Sequence, residues 1–112
     1  MTRTETTLAI AKLIIRIDQD RRMGIHPYNV ALDYAKRSPE EQRRLFDKGL
    51  SKCDGVNKVS KHQVGRAFDL LLFKEGVYVP EWPAELVSRY HEFWGSMGGL
   101  PLIVWDSAHF EA

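Results

Sequence analysis

The chain has 112 residues, enough for one hydrophobic core and too few for two, so it reads as a single domain over residues 1–112. Sixteen basic against fifteen acidic residues leave a formal charge of +1, which excludes a general attraction to nucleic acid or to an anionic membrane. The single cysteine, Cys53, excludes an internal disulfide and suits a reducing compartment.

Thr2 with Glu5 three residues on is a capping-box pattern, and Ile10, Leu13, Ile14 and Ile17 follow at helical spacing up to Gly24, so the first element reads as a helix. Lys12 and Arg16 break its apolar run and no small-residue cleavage site follows, which argues for a retained helix over a signal peptide. No stretch approaches the roughly 20 apolar residues of a membrane span. The expectation is a soluble protein made in the cytoplasm, with no stable membrane insertion. After His26-Pro27, NVALDYA alternates as a short strand. A second helix is announced by Ser38 as cap, Pro39 at its first position, Glu41 closing the box and Gly49 as its stop. Leu50 to Lys61 is polar and carries Asp54-Gly55, a loop signature.

Ala67 to Phe73 reads as a strand in the core, Glu75-Gly76 as a turn and Val77 to Val79 as the hairpin partner. Pro80 and Pro83 bracket a break. A further helix places Leu86, Tyr90, Phe93, Trp94 and Met97 on one face and ends at Gly98-Gly99. The run LPLIVW reads as a last strand that delivers Asp106, His109 and Glu111. Helices mixed with hairpin-linked strands predict an α+β domain, a small antiparallel sheet flanked by helices.

The stretch SKHQVGRAFDLLL, Ser60 to Leu72, raises a chemical question, because Asp69 interrupts an apolar run. A buried carboxylate costs several kcal/mol unless its charge is compensated, and a metal ion does so most completely. Catalytic zinc sites take three ligands from His, Asp or Glu, and His62, Asp69 and His109 make such a set. That leaves Asp106 as a carboxylate able to accept a proton from an attacking water and return one to a departing amine. Taken singly, each residue also has a plainer reading: His62 as a structural histidine, Asp69 as a strand-end partner of a lysine, Asp106 as the cap of a turn.

SKHQVGRAFD resembles the S-x-H-x-x-G-x-A-x-D signature of the zinc D,D-carboxypeptidase and L-alanyl-D-glutamate peptidase family, which shares a fold with the hedgehog signalling domain. WDSAHFE is similar to that family's D-x-x-H-F-E ending, and RSPEEQRRLFDKG to its R-[ST]-x-x-x-Q helix start. The three motifs occur in order from Arg37 to Glu111, about two-thirds of the chain. The resemblance implies a hedgehog/DD-peptidase-like fold with Zn2+ held by His62, Asp69 and His109. It implies Asp106 as general base, Arg37 as the cation that stabilises the oxyanion, and Ser60 on the substrate side; Trp105 is placed beside the substrate too. The implied function is hydrolysis of an amide bond in peptidoglycan stem peptides by a monomer. A phage or prophage endolysin that acts on the cell wall after release is the implied setting. The alternative is a zinc-binding module of the same fold without turnover. Glu111 reads either as a group that orients a metal ligand from behind or as a plain terminal charge, and is left outside the catalytic set; Cys53 is a bystander, His26 and His91 are structural, and His91 lies on the polar side of its helix.

Overall fold

Thr2 starts the first helix, α1 (Arg3–Arg22), through a complete capping box. Its hydroxyl accepts the Glu5 N–H at 3.1 Å, and the Glu5 carboxylate accepts the Thr2 N–H at 3.1 Å. The backbone hydrogen bond from Thr2 also holds the Glu5 carboxyl below its usual range. The helix ends just before Gly24 and buries Thr6, Ala9, Ile10, Leu13, Ile17 and Asp20, one stripe at helical spacing. Ile14 is only partly buried, at the margin of that stripe. This computed structural model describes residues 1–33, 43, 47–48, 67–103 and 106–112. The predicted second helix lies largely outside them; Arg43 and Asp47, within it, are helical and form an i,i+4 ion pair at 3.1 Å.

Among the described residues, four short strands form one antiparallel sheet around β2: β1 (Asn29–Leu32), β2 (Ala67–Lys74), β3 (Val77–Val79) and β4 (His109–Glu111). The two-residue turn between β2 and β3 puts Glu75 at φ 52° and Gly76 at φ 80°, the pair of positive angles that a tight hairpin of matching twist requires. Between β3 and β4 runs α2 (Ala84–Ser96), which the Pro83 carbonyl starts by accepting the Leu86 and Val87 N–H groups. β2 pairs with β4 over Ala67–Asp69, with β1 over Leu70–Phe73 and with β3 over Leu72–Lys74.

Side chains alternate along β2. Phe68, Leu70 and Leu72 are buried in one core with Leu13 and Ile17 of α1, Leu86, Tyr90 and Trp94 of α2, and Phe110 of β4. Asp69, Leu71 and Phe73 are only half-buried, on the opposite face. The apolar run around Asp69 is therefore not a strand buried on both sides, as its composition suggested. Its odd positions form the face on which the charged residues collect.

One expectation about the fold needs correcting. Leu100 to Ile103, the described part of LPLIVW, is not a strand; the last strand begins at His109. Pro101 has no N–H for a ladder, and the strand forms instead where HFE can pair with AFD. Nor was Asp20 expected in the core, yet it is 3% exposed. It accepts a hydrogen bond from the Tyr90 hydroxyl at 2.8 Å and pairs with Arg16 at 3.2 Å. Burial first, and the bond to Asp20 second, push the Tyr90 hydroxyl well above its usual range. The pair ties α1 to α2 by a polar clasp inside an apolar core.

Candidate metal centre

The register of β2 and β4 makes Asp69 and His109 direct cross-strand partners. Opposed residues on one face stand about 5 Å apart at Cβ, so the two side chains meet without any further device. His109 Nδ1 lies 3.1 Å from Asp69 Oδ1, and its Nε2 lies 3.4 Å from Glu111 Oε2. Glu111 is two residues along the same strand, which returns its side chain to the same face. A one-residue slip of β4 would turn His109 and Glu111 to the opposite face and leave Asp69 without them.

Asp106 arrives through a turn. Its carbonyl accepts the His109 N–H at 3.1 Å, closing a four-residue loop over Asp106–His109. That closure explains the D-x-x-H spacing, since residues at the ends of such a turn are neighbours in space. Asp69, Asp106 and His109 each direct one donor atom into a common volume, all within 4.8 Å of one another. Asp69 and His109 are half-buried, with 18% and 10% of their side chains exposed, whereas Asp106 is exposed at the mouth.

The electrostatics favour a cation. Burial pushes the His109 imidazole down, but the hydrogen bond and charge of Asp69, with Glu111 and Asp106, outweigh it and hold the ring above its usual value. In other words, three carboxylates around one imidazole stabilise positive charge at this spot. Two carboxylate oxygens and one imidazole nitrogen, convergent and partly shielded, make a cluster with the chemistry to hold a divalent metal ion, whether all three ligate it or one stands beside it. The Nε2 contact with Glu111 sets an outer carboxylate against the ring, the kind of partner that orients a histidine when it binds a metal.

Of the residues singled out in the sequence, the structure brings together Asp69, Asp106 and His109. His62, Arg37, Ser60 and Trp105 lie outside the described residues. Glu111, outside the expected catalytic set, touches His109, which agrees with the first of its two expected readings. His26 is structural as expected: its Nε2–H donates to the Ile17 carbonyl at 3.0 Å and its Nδ1 accepts the Tyr28 N–H at 3.0 Å. His91 does not lie on a polar face. Its ring stacks on Phe110 at 4.1 Å with an interplanar angle of 9°, and its Nε2–H donates to the Ser107 carbonyl at 2.7 Å. Desolvation pushes this imidazole below its usual value, which disfavours the charged ring.

Comparison with known proteins bears on the fold. The crystal structure of the Serratia marcescens L-Ala D-Glu endopeptidase ChiX is similar, with a TM-score of 0.58 and 22% sequence identity over 74% of this chain. The match covers 65% of that chain, so the present chain spans a little under two-thirds of its length. A small antiparallel sheet with helices packed against it is thus the fold that the two share. No family model matches the chain, and no curated protein matches it.

Proposed function

We propose that the chain is a zinc metallopeptidase that hydrolyses an amide bond in peptidoglycan stem peptides, of the L-alanyl-D-glutamate endopeptidase or D-alanyl-D-alanine carboxypeptidase type. The observation that carries this reading is the convergence of Asp69, Asp106 and His109 within 4.8 Å. The fold shared with an L-Ala D-Glu endopeptidase and the order of the three sequence motifs support it. The setting is a phage or prophage endolysin, a monomer made in the cytoplasm and acting on the wall after release. Among the described residues no helix is long and apolar enough to cross a membrane, in keeping with such a role.

Asp69 and His109 hold the metal with His62 as third ligand. When bound, zinc supplies Lewis acidity that polarises a carbonyl and makes water a nucleophile near neutral pH. Asp106 does the proton work: its exposed carboxylate takes the proton released as water adds to the amide carbon, then delivers it to the leaving nitrogen. Arg37 steadies the negative charge that develops on the carbonyl oxygen, a task for a side chain that stays charged at any working pH. Glu111 keeps the His109 ring in place, and Ser60 and Trp105 contact the peptide.

Digestion of defined stem peptides, read by mass spectrometry, tests the proposal. Cleavage at one amide bond, abolished by a chelator and restored by zinc, is the expected result. Intact peptides after incubation with zinc-loaded protein would leave the non-catalytic module as the better reading.

A further inference from the structure

We infer that His91 is a positioning residue, whose N–H bond to the Ser107 carbonyl holds the turn that presents Asp106 and His109. The inference rests on the reading of those residues as the functional site. Ser107 lies inside the Asp106–His109 turn, before the ladder of β4 begins. The Ala108 carbonyl is already engaged by the Leu70 N–H at 2.9 Å, and the Asp106 carbonyl by the His109 N–H. The Ser107 carbonyl is taken by His91 at 2.7 Å, the shortest of these contacts.

An imidazole is a poor filler for this position. It stacks on Phe110, in a group that includes Trp82 and Trp94, and its Nδ1 is buried without a hydrogen-bond partner among the described residues. A phenyl ring would stack as well and strand no nitrogen. What the imidazole adds is therefore the donor at Nε2. One turn further along α2, Trp94 Nε1 donates to the Glu111 carbonyl at 2.8 Å. Two donors from one helix thus grip the turn and the far end of β4, with Phe110 clamped between them. The site face is set by a helix that contributes no ligand to it.

The test compares wild type with His91→Phe, which keeps the stack and loses the donor, and His91→Gln, whose amide nitrogen can reach the place of Nε2. Hydrogen exchange at the Leu70 and His109 amides reads the turn directly, and competition with a chromophoric chelator reads zinc affinity. In His91→Phe, exchange at these two amides rises about tenfold and zinc binding weakens about tenfold, while α1 amides are unchanged. His91→Gln recovers most of both. Wild-type exchange and affinity in His91→Phe would overturn the inference, as would a uniform loss of protection in both variants, which would make His91 a packing residue. A wild type that takes up no zinc would refute the metal reading alone, and the exchange comparison would still decide the role of His91.

Discussion

At the scale of single residues, the site is made by pairing chemically different groups that the sequence keeps far apart. Asp69 and His109 are 40 positions apart and meet because two strands share a register. Asp106 differs from Asp69 in exposure, and the proposed roles of base and ligand follow that difference. Asp106→Asn should therefore retain zinc and lose 10²- to 10⁴-fold in hydrolysis, measured on a stem peptide at equal metal loading. The candidate residues of this site were legible through the resemblance of SKHQVGRAFD and WDSAHFE to a family's motifs, since their spacing alone is common in a chain of this size. Asp20 was not legible, since a carboxylate near the end of a helix ordinarily points to water. Its burial is supported by Tyr90, 70 positions on, which brings a hydroxyl to it, and by the Arg16 guanidinium one turn away. Tyr90→Phe removes that hydroxyl and leaves the buried carboxylate short of a partner. A loss of about 2 kcal/mol in unfolding free energy, read by denaturant titration, is expected.

At the scale of elements, local rules governed the ends and long-range contacts governed the rest. The capping box and the Glu75-Gly76 hairpin were readable because each is complete within four residues. LPLIVW was misread because its composition is that of a strand, while the partner that decides pairing, Ala67–Asp69, lies more than 30 residues away. The cap carries a pH signature. The Glu5 carboxyl is held below its usual value by the Thr2 backbone, so its contribution is present above the unfolded carboxylate value and disappears as pH falls through the folded one. Wild type should melt above Glu5→Gln at neutral pH, with the gap closing in acid; a gap that persists unchanged would show that the charge plays no part. At the other end of the chain, Gly99 sits against the indole of Trp94, where an added Cβ would collide. Since Trp94 is fully buried and bonded to the Glu111 carbonyl, Gly99→Ala should cost about 1–3 kcal/mol by thermal melting.

At the scale of the whole molecule, one face of β2 builds the core with both described helices and the other gathers carboxylates around an imidazole. The α+β class was legible from the alternation of periods, 3.6 in the helices and 2 in the strands. Which face would be functional was not, because a half-buried strand with Leu71 and Phe73 beside Asp69 resembles one buried on both sides. The proposed function requires that face to bind a metal. Elemental analysis of the purified protein, wild type against Asp69→Asn and His109→Ala, tests it most directly. About one zinc per chain in wild type, lost from both variants while their far-UV circular dichroism is retained, is the predicted result. A wild type that stays free of zinc after reconstitution, or variants that bind it as well as wild type does, would contradict the account.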